Sequence, residues 1–187
     1  MAKRTLIVNA SPRPHGDTAA LLAELKAHLE GEVVEISAFR SKVSPCVDCR
    51  RCAATARCVI RDEMDVIYGD DFDAVILGTP IYYATVPGPM LSLMSRFQPQ
   101  RAAKYNLGKP LDIKPKKAGL IMVGGSKLND EKAERPCSIF FRMVNGQGWK
   151  DHKVKSLYTD ITPAAQDEAA LEGVRELARW INEGTLE

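Results

Sequence analysis

The chain has 187 residues, 26 of them basic and 24 acidic for a formal charge of +2, and is 45% hydrophobic and 27% charged. That balance excludes the electrostatic footprint of a nucleic-acid or anionic-membrane binder, and the proportions exclude disordered, collagen-like and coiled-coil chains. A chain of this length is expected to form one domain over 1–187 that buries its core without disulfide or metal staples.

Behind a basic start, the apolar run at 5–8 suits a strand but is too short for the core of a secretory signal. It ends at Asn9 and passes into Ala10-Ser11-Pro12-Arg13-Pro14-His15-Gly16-Asp17-Thr18-Ala19, after which Leu22, Leu25 and Leu29 carry helical spacing. A loop between a strand end and a helix start presents unpaired backbone N–H groups at the positive end of the helix dipole, where α/β proteins hold phosphates. Ser11 and Thr18 add hydroxyl donors and Arg13 adds charge. The loop contains neither G-x-x-x-x-G-K nor G-x-G-x-x-G, which disfavours ATP and a Rossmann-type NAD site. The alternative is a surface turn in which Asp17 or Thr18 caps the helix.

A second strand at 33–36 is followed by Cys46-x2-Cys49-x2-Cys52-x5-Cys58, four of the five cysteines. No apolar stretch approaches the roughly 18 residues of a membrane span, so a cytoplasmic protein with reduced thiols is expected, and such a cluster asks for a metal. Four thiolates suit a 4Fe-4S cluster, for which C-x2-C-x2-C runs are characteristic, or a tetrahedral zinc; free thiols are the third reading. Arg50, Arg51 and Arg57 would compensate thiolate charge in each state. Cys137 stands apart and reads as a buried hydrophobe, and His15, His28 and His152 have no paired metal spacing.

A third strand at 74–78 opens into Gly78-Thr79-Pro80-Ile81-Tyr82-Tyr83. Pro80 restrains the backbone there, while Tyr82 and Tyr83 offer flat surfaces and backbone donors, or else close a sheet edge or a subunit contact. Val86, Met90, Leu93 and Met94 follow at helical spacing and read as exposed, which predicts an oligomer, most simply a homodimer, with 81–105 at the interface. The polar stretch 98–117, with Pro99, Pro110 and Pro115, reads as a surface excursion before a fourth strand at 118–123. Gly124-Gly125-Ser126 then either approaches a ligand or makes a simple turn. A strand at 154–158 and a helix carrying Leu171, Val174, Leu177, Ala178 and Ile181 complete the chain. This alternation of strand and helix predicts an α/β fold, a doubly wound parallel sheet with helices on both faces. With no hydrolytic constellation present, redox chemistry remains, in which a cofactor performs the hard step and no catalytic acid or nucleophile is named.

Three of these segments, in order, resemble the NAD(P)H-dependent FMN reductases. Ser11-Pro12-Arg13 with Gly16-Asp17-Thr18 is similar to their S-P-R-x-x-G-N-T loop, and Gly78-Thr79-Pro80-Ile81-Tyr82-Tyr83 to their G-T/S-P-x-Y loop beside the isoalloxazine ring. Val86-Pro87-Gly88-Pro89-Met90 with Arg96 resembles the helix that follows, and Gly108-Lys109-Pro110 the approach to the fourth strand. The cysteine loop resembles that of iron-sulfur flavoproteins, a branch of the same superfamily. The resemblance, over 4–183, implies a flavodoxin-like five-stranded parallel sheet in the order 2-1-3-4-5. It implies FMN held by Ser11, Arg13, Gly16, Asp17, Thr18, Ala19, Pro80, Ile81, Tyr82, Tyr83, Gly124 and Gly125, with a 4Fe-4S cluster on Cys46, Cys49, Cys52 and Cys58 near the flavin edge. The activity implied is electron transfer from NAD(P)H to a flavin, quinone or similar small-molecule acceptor; the alternative is a carrier relaying electrons between redox proteins. Asp17 stands where the family has Asn, and Leu91 and Ser95 where it commonly has Lys and Asp, so Arg96 is not expected to find an ion-pair partner beside it.

Overall fold

Leu6, Ile7 and Val8 are all buried, as are Val75, Ile76 and Leu77, so these two runs are covered on both faces, as interior strands of a parallel sheet must be. A computed structural model of the chain describes residues 3–127 and 130–186. Its elements are β1 (Arg4–Asn9), α1 (Asp17–His28), β2 (Glu32–Ser37), α2 (Cys52–Thr55), α3 (Met64–Tyr68), β3 (Ala74–Pro80), α4 (Gly88–Met94), α5 (Gln98–Tyr105), β4 (Lys116–Gly124), α6 (Asp130–Met143), β5 (Gly146–Gln147), β6 (Lys153–Leu157) and α7 (Glu168–Glu183). A 3₁₀ turn, Ser95–Phe97, joins α4 to α5, and another, Ala164–Gln166, precedes α7.

The sheet runs β2-β1-β3-β4 and is parallel throughout, with β5 and β6 both on the outer side of β4. Gly146–Gln147 pairs with Lys116 and Lys117, and Lys153–Leu157 pairs with Leu120 to Gly124. The fifth strand of the doubly wound order is thus a broken one, two pieces flanking a turn in which Gly148, at φ +79°, lies against the Trp180 ring. Tyr158, expected inside that strand, falls just beyond it, at φ +66°.

Side-chain alternation along each strand splits the core in two. Leu6, Val8, Val75, Leu77 and Leu120 face α3, α4 and α6. Ile7, Ile76 and Ile121 face α1 and α7. Val86, Met90 and Leu93 are 1%, 0% and 1% exposed, so the expectation of an exposed apolar face on α4 is corrected: those residues fill the first core. The helical spacing was the inward stripe, and burying each such side chain stabilises the fold by about 1.5–3 kcal/mol. The stretch 98–117 also differs from the expected excursion. Its first half is α5, where Pro99 sits in the first turn and loses no hydrogen bond, and where Ala102 and Ala103 are buried. Its end belongs to β4, where the buried Lys116 ammonium pairs with Asp70 and donates to the Lys114 carbonyl at 2.7 Å. Among the described residues no helix is long and apolar enough to cross a membrane.

Candidate functional site

The strand-to-helix loop is anchored at both ends. Asn9 is buried; its side-chain oxygen accepts from Ser11 N at 3.0 Å, and its amide nitrogen donates to Glu35 Oε1 at 2.8 Å. Ala10 N donates to Gly78 O at 2.8 Å, which ties the loop to β3. The Ser11 hydroxyl accepts from Arg13 N at 3.2 Å and so shapes the turn from within. Gly16 begins α1 with no side-chain cap, leaving the first amides of the helix without an internal acceptor. A Cβ on Gly16 would stand 2.8 Å from Arg13 Cβ, so the loop closes this tightly only with glycine. Asp17 turns away: its Oδ1 accepts from Ala164 N at 2.9 Å, which caps the 3₁₀ turn before α7 and leaves Asp17's own N–H among the open donors. The carboxylate is therefore spent on a hydrogen bond to the 3₁₀ turn. Arg13 is exposed and forms no ion pair among the described residues, and Arg40, which sequence reasoning missed, brings a second guanidinium to 3.5 Å from Pro12 O.

The tyrosine loop lies beside it at the carboxyl ends of the same strands. Ile81 N donates to Val123 O at 2.8 Å, and a Cβ on Gly124 would touch Ile81 Cδ1 at 3.3 Å, so 80–81 and 123–124 are in contact. Tyr82 and Thr85 exchange backbone hydrogen bonds at 2.9 and 3.0 Å around Tyr83 and Ala84, which sit at φ +49° and +64°. This is the two-residue hairpin turn that glycine or asparagine normally occupies, so it stores backbone strain. The expected free backbone donors shrink accordingly: the Ile81 and Tyr82 amides are engaged, and those of Tyr83 and Ala84 remain. Tyr83 is fully exposed and Tyr82 is 40% exposed. Gly125 packs against the Asp160 carboxylate, which stands where a larger residue would collide. The loops holding Ser11 to Ala19, Pro80 to Tyr83 and Gly124 to Gly125 therefore share one end of the sheet, between β1 and β3 where strand order reverses.

The cysteine loop is elsewhere. Cys46, Cys49, Cys52 and Cys58 all line one cavity of about 220 Å³, to which none of the residues 11–19, 80–83 or 124–125 contributes. Cys46 N donates to Ser95 Oγ at 2.9 Å, and Ser95 lies about 10 Å along the helix axis from Gly88, the end of α4 that follows the tyrosine loop. The cysteine loop thus meets the chain at the far end of α4 from the tyrosine loop. Asp48, Arg50 and Ala56 take positive φ, bending the loop that carries the four cysteines. Burial, then the neighbouring Cys46, Cys49 and Cys58, push the Cys52 thiol up. Among the described residues no three His, Cys, Asp or Glu side chains are grouped so as to hold a metal ion; the four cysteines are residues of one cavity wall. Of the arginines expected to balance thiolate charge, Arg50 lines the cavity and Arg51 and Arg57 do not; Arg96 and Arg101 do.

Arg96 is the buried member of this set, 1% exposed. It donates to Asp62 Oδ2 at 2.6 Å, Ser44 O at 2.8 Å and Ile60 O at 3.2 Å, so one guanidinium grips the chain on both sides of the cysteines. Burial alone would push the Asp62 carboxyl up; bonds from Arg96, Ser44 N and Met64 N outweigh it and hold the carboxyl below its usual range. Arg96 thus has an ion-pair partner after all, supplied from 34 residues away rather than from its own helix. Cys137 is fully buried in the first core, and burial pushes its thiol up to about 12.

Comparison with known proteins follows the same lines. The sequence model of the NADPH-dependent FMN reductases matches residues 4–147. An iron-sulfur flavoprotein of Methanocaldococcus jannaschii is 30% identical over 125 residues, 64% of this chain and 61% of that relative; one of Methanosarcina thermophila is 28% identical over 165 residues, 86% of this chain and 81% of that relative. The chain therefore covers less than two thirds of the Methanocaldococcus relative's length. Among solved structures, an FMN-dependent NADH-azoreductase from Bacillus anthracis in complex with FMN superposes with TM-score 0.67 at 16% identity, over 96% of this chain and 100% of that one. An NAD(P)H:quinone oxidoreductase from Methanothermobacter marburgensis does so with TM-score 0.64 at 16% identity, over all of both chains. At such identities these two speak for the fold alone.

Proposed function

The chain belongs to the NADPH-dependent FMN reductase family, and we propose that it is an FMN-dependent oxidoreductase taking electrons from NAD(P)H to reduce a flavin, quinone or similar small-molecule acceptor. The observation that carries this reading is the uncapped start of α1, flanked by Arg13 and Gly16 and facing the tyrosine loop across the switch point. That cradle fits the phosphate of FMN: open N–H donors, a positive helix end and an unpaired guanidinium. Ser11, Gly16, Asp17, Thr18 and Ala19 supply the turn and the first-turn amides, Asp17 through its N–H rather than its carboxylate. Pro80, Ile81, Tyr82 and Tyr83 border the ring on one side, Gly124 and Gly125 on the other. Bound FMN supplies a hydride acceptor that can hand electrons on singly or in pairs. The chain's part is to hold the ring at the mouth of the sheet, with the amides of Tyr83 and Ala84 free to bond its polar edge.

The second reading, an iron-sulfur flavoprotein carrying electrons between redox proteins, is favoured by the four cysteines that line one cavity. Four cysteines that line one space, in a C-x2-C-x2-C-x5-C run, are the ligand number and type that a 4Fe-4S cluster would take. Two iron-sulfur flavoproteins among the relatives point the same way. We also propose a cytoplasmic location, a compartment in which cysteines so close in sequence would stay reduced. We also propose a homodimer built on the exposed Tyr83 and Leu91, since Val86, Met90 and Leu93 are occupied in the core.

FMN-loaded protein, given NADH or NADPH and a dye acceptor, separates the two readings. Steady pyridine-nucleotide oxidation well above that of free FMN supports the enzyme. Oxidation no faster than free FMN rejects it in favour of the carrier.

A further inference from the structure

One acidic side chain at the mouth of the sheet has no part in the reading above. The segment 158–164 bridges two of the loops assigned to the flavin: Thr159 N donates to Gly124 O at 3.1 Å, and Ala164 N donates to Asp17 Oδ1 at 2.9 Å. Between these anchors Ile161 N and Thr162 N donate to Tyr158 O at 2.8 and 3.0 Å, closing a turn that begins at Tyr158, φ +66°. The turn sets the Asp160 carboxylate against Gly125, where a Cβ would collide with it. Asp160 is exposed, and among the described residues it accepts no hydrogen bond and forms no ion pair. Lys127, two residues beyond Gly125, is exposed and pairs with no carboxylate among the described residues. A negative charge is thus held, uncompensated, against a residue assigned to the border of the ring.

We propose that Asp160 lowers the reduction potential of bound FMN, a role that rests on the FMN reading of this end of the sheet. Hydride transfer breaks a C–H bond of the nicotinamide and forms an N–H bond on the flavin; NAD(P)⁺ leaves, and the flavin becomes one unit more negative. A fixed carboxylate beside the ring loops acts on that change, because it repels the reduced ring and leaves the neutral oxidised ring almost untouched. The site then holds oxidised FMN tighter, relative to reduced FMN, than it would with a neutral residue at 160. Electrons pass to an acceptor more readily as a result. Since Asp160 is exposed, the effect is modest and is screened by salt.

The test is an anaerobic redox titration of FMN-loaded protein against a dye of known potential. In Asp160→Asn the affinity for reduced FMN relative to oxidised FMN should rise about fivefold at low salt, which raises the two-electron midpoint by about 20 mV. The rise should shrink in about 1 M salt. Asp160→Ser, a second neutral variant, should agree with Asp160→Asn, and Asp160→Glu, which keeps the charge, should stay with wild type. Asp151→Asn removes an equal charge beyond the other end of β6, about 17 Å or more away, and should leave the midpoint unmoved. A midpoint that does not rise in the neutral variants overturns the proposal. So does an equal rise in Asp151→Asn, which makes the effect one of net charge, or in Asp160→Glu, which makes it one of packing. Wild type that takes up no FMN counts against the oxidoreductase reading and takes this proposal with it, whereas FMN-loaded variants with an unmoved midpoint overturn this proposal alone.

Discussion

The guanidinium of Arg96 meets the carboxylate of Asp62 at 2.6 Å, with side chains 0% and 9% exposed, and this contact joins the end of α4 to the segment that closes the cysteine loop. A buried pair of this kind is weak evidence for stability as a whole, but removing one partner strands the other charge.

Asp62→Asn is accordingly expected to destabilise the protein by about 3 kcal/mol at neutral pH, read as a lower urea midpoint. The carboxyl's folded pKa lies below its ordinary 3.8, so its contribution is complete above about pH 4 and is lost as pH falls through the folded value. Wild type and variant should therefore converge in acid. A gap that stays constant from pH 7 to pH 2.5 would show that the charge is not what is lost.

Arg13→Glu removes the unpaired cation at the phosphate loop and adds repulsion. FMN binding, followed by quenching of flavin fluorescence, should weaken at least tenfold, and Arg40→Ala should weaken it less, since Arg40 lies further out and is exposed. Unchanged affinity in Arg13→Glu would move the phosphate elsewhere.

Gly78 sits where a Cβ would stand 2.8 Å from Leu22 Cδ1, directly behind the phosphate loop. Gly78→Val should cost about 2 kcal/mol and should also loosen FMN, because α1 must shift away from β3. Thermal melts with and without FMN measure both effects.

Ala84 occupies the second central position of a turn that requires positive φ. Ala84→Gly should raise stability by about 0.5–1 kcal/mol by relieving that strain. If the strained turn also sets Tyr83 for the flavin, the same variant should bind FMN less well despite melting higher.

Anaerobically purified protein should be brown, with about four irons per chain after reconstitution, if the four thiols hold a cluster. Cys49→Ala should abolish the broad absorption and leave FMN bound, because the two sites share no wall. Fewer than about 0.3 iron per chain in reconstituted wild type would reject the cluster.

Much of the architecture was legible because apolar runs of strand length alternate with helical stripes, and a parallel sheet follows from that order. The α4 stripe shows where such reading stops. Spacing reveals that Val86, Met90 and Leu93 share a face, but whether that face meets the sheet or a second subunit depends on the third dimension. Arg96 is the sharper case. Its local neighbours lack a carboxylate, and its partner comes from across the cysteine loop, a pairing that no local pattern encodes. The hairpin at Tyr83 and Ala84 was hidden for the opposite reason, since neither residue is one that such a turn normally uses.

The broken outer strand has one more effect. Beyond β4 the sheet offers two and five residues of strand, separated by a turn, in place of one continuous row of open N–H and C=O groups. At its other border β2 carries Glu32 and Glu35, engaged by Arg4 and Lys26. Neither border is a long, flat, neutral template on which another chain could add a strand, so the protein is guarded against edge-to-edge polymerisation even when crowded.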